Sequence, residues 1–132
     1  MKKLKYLLIL CAAFNLFSCF GDESSVGIQG RIDSLENAIN ANDYDAFRDC
    51  FDEDAVNFDT YTVSDFNDLT DNGGTKYSFG TLLIAGDNVS CTATITGSGA
   101  GSAATTFVMV DRGGDFYILE WKENGILMFD KK

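Results

Sequence analysis

The 132 residues of this chain include no histidine. That removes the usual general base, the commonest metal ligand and every Ser-His or Cys-His nucleophile pair. Asp43, Asp45, Asp49, Asp52, Glu53 and Asp54 form an acidic run, and Asp65-Phe66-Asn67-Asp68 adds more oxygens. Neither has the Asp-x-Asp-x-Asp-Gly spacing of a calcium loop, so solvated helix faces and N-caps are the expected roles, with no metal and no cofactor. Asp59 stands apart as a lone carboxylate. It is read either as facing a pocket, where burial would raise its pKa, or as a strand-end aspartate in water. Tyr117, Leu119 and Trp121 alternate near the end of the chain, opposite Phe116, Ile118 and Glu120. Such a row either lines a ligand pocket, with Tyr117 and Trp121 as binding residues, or packs into the core.

Four cysteines complete the set. Cys11 lies inside an apolar run, Tyr6 to Phe14, that follows the basic start Lys2-Lys3-Leu4-Lys5. Basic residues, a short apolar stretch and a small residue at the end make an export signal, and the run is too short for a membrane span of about 20 residues. The stretch Leu16-Phe17-Ser18-Cys19 resembles the lipobox of bacterial lipoproteins. The resemblance implies cleavage after Ser18, lipid on Cys19, and a protein held by that lipid on a membrane of the bacterial cell envelope. It would lie outside the cytoplasm, on the periplasmic or the surface face. Residues 19–26 then read as a tether and 27–132 as one domain. Cys50 and Cys91 both fall on expected inward faces, so they are read either as a disulfide, which an oxidising compartment permits, or as two buried free thiols.

Three of the 10 basic residues lie in the leader and none of the 20 acidic ones does, so residues 19–132 carry a net charge of −13. A surface this acidic repels phosphate backbones, and nucleic acid is excluded as a partner.

Several elements must position these groups. Ile28, Ile32, Leu35 and Ile39 have helical spacing. After the break at Asn42-Asp43, the residues Tyr44, Phe47, Cys50 and Phe51 form the stripe of a second helix. Composition predicts a short strand over 55–61 and a helical turn capped by Ser64. From there the chain reads as sheet: 76–84, the cleanly alternating 88–96, 104–111, 116–122 and a short 126–129. With no proline in the chain, turns fall to Gly, Asn and Asp. Helices before strands predict an α+β fold with the helices on one face of an antiparallel sheet.

Two segments carry a further likeness. Ala38-Ile39-Asn40-Ala41-Asn42-Asp43-Tyr44-Asp45, with Phe51-Asp52-Glu53-Asp54-Ala55-Val56-Asn57-Phe58, resembles the opening of the NTF2-like superfamily. Phe107 to Ile118 is similar to that family's closing hairpin. The resemblance implies a cone, with a curved antiparallel sheet wrapped on N-terminal helices around a pocket. Laid on the steroid isomerases of that superfamily, the general-base carboxylate falls on Asp59. The position of the hydrogen-bonding tyrosine holds Leu35, and the second acid falls near Thr106. An oxyanion would lack donors there, which argues against isomerase chemistry. The expectation is a non-enzymatic, lipid-anchored domain that binds a small apolar ligand or an envelope protein. Its alternatives are an enzyme using Asp59 and a purely structural domain with a filled interior, with a homodimer through the sheet face as one possible assembly.

Overall fold

The structure is a computed structural model that describes residues 24–129. The signal segment 1–18 and Cys19 lie outside the described residues. Helix α1 occupies residues 24–40, so the last three residues assigned to the tether are helical. Ile28, Ile32, Leu35 and Ile39 are all buried, the stripe that their spacing requires. Asn42 turns the chain in the left-handed region at φ 54. Asp43 then caps α2 (Tyr44–Arg48) by accepting from Ala46 N at 3.1 Å.

Residues 55–61, expected as a strand, form turns instead. The β-rich composition is overridden because Asn57 sits at φ 67 and the preceding Asp52 and Asp54 are both held by Arg112. The following helix α3 (Val63–Thr70) starts two residues earlier than expected. Thr62, rather than Ser64, is its N-cap, in a reciprocal capping box with Asp65.

Six antiparallel strands follow: β1 (Thr75–Phe79), β2 (Leu83–Ala85), β3 (Asn88–Gly97), β4 (Gly101–Arg112), β5 (Asp115–Glu123) and β6 (Ile126–Leu127). They run β1-β3-β4-β5-β6, with β2 paired to the other half of β3. The single strand expected over 76–84 is thus two: Gly80 N still donates to Thr92 O at 2.9 Å, but residues 80–82 lie opposite only residues 91–92 of β3, and the extra residue interrupts the ladder. Gly97 allows the β3 exit: at φ +87, a Cβ there would lie 2.0 Å from the Gly74 carbonyl oxygen.

The sheet does not close on itself. At its β1 edge, α1 takes the place of a missing strand. Asn40 accepts from Tyr77 N at 2.8 Å and donates to Tyr77 O at 2.9 Å, while Glu36 accepts from Phe79 N at 2.9 Å. Along β5, Phe51 makes a parallel bridge to Ile118. Helices and concave face enclose an aromatic core centred on Phe47, whose ring lies 4.7–6.3 Å from those of Phe51, Tyr61, Phe66, Trp121 and Phe129. Replacing a fully buried ring such as Phe47 by Ala costs about 3–5 kcal/mol, a large share of a domain's stability.

Candidate functional site

The inward face of β5 carries Ile118, Trp121 and Glu123. Strict alternation would separate Ile118 from Trp121. A β-bulge reconciles them: Val108 pairs with Glu120 and Met109 with Ile118, leaving Leu119 as an extra residue. Beyond the bulge, Phe107 pairs with Trp121 and Thr105 with Glu123. Cys91 pairs with Thr105 on the other side. A polar row, Cys91-Thr105-Glu123, therefore crosses three strands on a face that is otherwise apolar.

Tyr77 reaches this row from β1. Three strand spacings separate β1 from β5, about 14 Å in a flat sheet. Yet the Tyr77 ring lies 5.9 Å from that of Trp121, edge to face, and its hydroxyl and the Glu123 carboxylate influence each other electrostatically. The sheet curls enough to bring these strands together, and the Ala93-Ala103 pair between them leaves room for the ring. Trp121 is fully buried and also packs on Phe107 and Phe79.

Glu123 is 7% exposed. Burial raises its pKa above the ordinary carboxylate value, and the neighbouring Tyr77 hydroxyl opposes that only in part. The Tyr77 phenol is pushed up by burial and then by Glu123. Burial and Glu123 together push the Cys91 thiol up to about 11. Among the described residues, Glu123 Oε1 and Trp121 Nε1 are buried polar side-chain atoms with no hydrogen-bond partner. These groups are suited to hydrogen bonding: a thiol at about 11 is not a thiolate at neutral pH, and so is a weak nucleophile.

A pocket of about 250 Å³ opens beside the cluster, between α3 and the end of the chain, lined by Tyr61, Asp65, Asp68, Leu69 and residues 126–128. Its walls adjoin the cluster at several points. Ile126 is the register partner of Glu123, Met128 N donates to Trp121 O at 2.8 Å, and Tyr61 stacks on Phe129 within the core. Burial pushes the Tyr61 phenol up, with Asp65, Tyr44, Tyr77 and Asp68 adding to it.

No protein-family model and no curated protein matches the chain. A solved structure does: a protein of unknown function with a cystatin-like fold from Nostoc punctiforme, at 15% identity and a TM-score of 0.60, covering 75% of this chain and 88% of that one. The likeness shows the fold, α+β with helices on a curved, unclosed antiparallel sheet. It corrects the NTF2-like resemblance, which rested on apolar and turn residues that different helix-then-sheet folds can share.

The residues singled out in the sequence are scattered. Asp59 is exposed, so it stands in water rather than facing a pocket, but in the turns after α2 rather than at a strand end. Tyr117 and Trp121 do not share a face, because the bulge at Leu119 changes the alternation between them. The Tyr117 ring lies under Arg31, 4.5 Å from the guanidinium carbon, beside a separate depression of about 440 Å³ with Arg48, Asp49, Asp52 and Arg112. Cys50 and Cys91 are both free thiols. Cys50 donates to Ala46 O at 3.4 Å, near Arg31, whereas Cys91 faces Glu123. Sequence reasoning passed over Tyr77 and Glu123. The available signal was phase, since Glu123 stands two residues from Trp121 in a strand and so shares its face.

Proposed function

We propose that this is a non-enzymatic, lipid-anchored envelope domain that binds a small apolar ligand in the pocket between α3 and β6. The observation that carries the reading is the pocket itself, about 250 Å³ with Tyr61, Leu69, Leu127 and Met128 as its apolar wall. That size and lining suit a small ligand with an apolar body. The core around Phe47 is filled by rings, so the ligand sits at the edge of the sheet. Catalysis by Asp59 lacks support, because its carboxylate is exposed and no donors converge on it.

A neutral apolar dye, N-phenyl-1-naphthylamine, tests the reading. Leu69→Trp fills the pocket and should weaken dye binding by about tenfold or more, whereas Leu83→Trp, on exposed β2, should leave it unchanged. Equal binding by wild type and Leu69→Trp defeats the assignment.

A further inference from the structure

We infer that the ligand of the pocket between α3 and β6 is a small amphiphilic cation, an apolar body with one protonated amine, whose ammonium group is met by Asp65 and Asp68. The inference rests on the pocket reading above and names its ligand class.

The charges on the pocket's own wall carry it. Asp65 and Asp68 line it, and no lysine or arginine does. Spaced i, i+3 on α3, the two carboxylates share one face of the helix, and Leu69, four residues on from Asp65, continues that face into the apolar wall. Asp65 is fixed in place, since its Oδ2 accepts from Thr62 N at 2.7 Å and from Thr62 Oγ1 at 2.8 Å. Its charge lies in the first turn, where the helix N-terminus favours it. Asp68 is placed the other way. It stands in the last turn, beside the negative carbonyl end of the helix, and that turn holds no basic residue. Among the described residues the ion pairs are made by Arg112 and Lys122, and none involves Asp68. A cation in the pocket would offset this excess of negative charge.

The remaining wall suits the same ligand. The Tyr61 phenol is pushed up by burial first and then by neighbours that include both carboxylates, so it stays protonated and offers a hydroxyl oxygen near them. An ammonium group has three donors and no acceptor, which matches a rim of carboxylate and hydroxyl oxygens. Leu69, Leu127 and Met128 then take the apolar body. An anionic ligand would meet two like charges, and a neutral one would forgo the charge-assisted bonds.

Displacement of N-phenyl-1-naphthylamine by three chains of equal length, octylamine, 1-octanol and octanoate, tests the class at pH about 7 and low salt. Octylamine should displace the dye about tenfold better than octanol, as two partly screened charge contacts allow, with octanoate weakest. Salt at about 0.5 M should shrink the preference. Asp68→Asn, a change at an exposed position, should bring octylamine within about threefold of octanol. Asp59→Asn removes the same charge outside the pocket and should keep the preference. Octylamine acting no better than octanol on the wild type overturns the cationic class and leaves the pocket reading intact. A preference that survives Asp68→Asn, or that falls equally in both variants, overturns the class too, by assigning it to the net charge of the domain. Failure of the dye and of all three chains to bind overturns the pocket reading as well.

Discussion

Arg112 grips Asp52 across 60 residues of chain through two 2.9 Å hydrogen bonds, from Nε and Nη2, and the same Nη2 reaches Asp54 at 2.9 Å. The fork ties the end of β4 to the loop after α2, where Asp52 N also donates to Ile118 O. The bonds from Arg112 hold the Asp52 carboxyl below the ordinary range, against the opposing effect of burial. Arg112→Lys keeps the charge but loses the fork, and Arg112→Ala leaves a buried carboxylate without its partner. Both should lower Tm, Ala by more. A carboxyl depressed in the folded state stabilises above its unfolded pKa of about 3.9 and loses that contribution as pH falls through the folded value. The Tm gap between wild type and Arg112→Ala should therefore be widest near neutrality and narrow below pH about 4. A gap constant down to pH about 2 would show that the bond is not what depresses Asp52.

Glu123 has the opposite slope. Its raised folded pKa means that stability is greatest below the unfolded value of about 4.3 and is lost as pH rises through the folded one. Glu123→Gln should therefore gain on the order of 1 kcal/mol over wild type at pH 7 and nothing in acid. Chemical denaturation at two pH values measures this, and a variant less stable than wild type at neutrality contradicts the assignment.

Cys50 and Cys91 thiols are both pushed up to about 11, chiefly by burial. In a background with Cys11 and Cys19 both replaced by Ala, alkylation of the native protein at pH about 8 should be slow, and denaturation without reductant should release two reactive thiols. Finding none would establish a bond between them.

Asp59→Asn should change stability by less than about 0.5 kcal/mol, as an exposed polar replacement does, and leave dye binding unaltered. Steroid isomerisation should be absent from wild type and variant alike. Turnover by the wild type that vanishes in the variant would restore the enzymatic reading.

For Cys19, replacement by Ala should release the domain from the membrane fraction or leave the precursor unprocessed. Fatty-acid label still entering the variant would place the lipid elsewhere. Among the described residues no helix is long and apolar enough to cross a membrane.

The helical stripe of α1 and the alternation of β3 were legible because one side of each element faces the core, with Cys91 and Ile95 half-buried between and beyond the fully buried Val89 and Ala93. Ile32, Leu35, Ile39, Val89 and Ala93 are all essentially without exposure. Residues 55–61 misled for a physical reason: their composition favours a strand, but tertiary ties at Asp52 and Asp54 and a left-handed Asn57 fold them into turns. The site was harder to read than the fold. One extra residue at Leu119 shifts the alternation between Tyr117 and Trp121, and no local signal marks where a bulge falls. Tyr77 and Glu123 lie 46 positions apart and meet only through the curl of the sheet, which two alanines permit and no periodicity announces.

The side chains of Asn40 and Glu36 on the β1 edge have a consequence for the protein's behaviour in company. An open strand edge templates the addition of another chain, and here the groups that block it belong to a helix. Protection therefore lasts only while α1 stays docked, and partial undocking exposes the β1 ladder before the sheet itself melts. Asn40→Ala with Glu36→Ala should thus shorten the lag before fibril formation far more than it lowers Tm. Colloidal lifetime in this molecule is then set by the docking of one helix, separately from the global stability of its core.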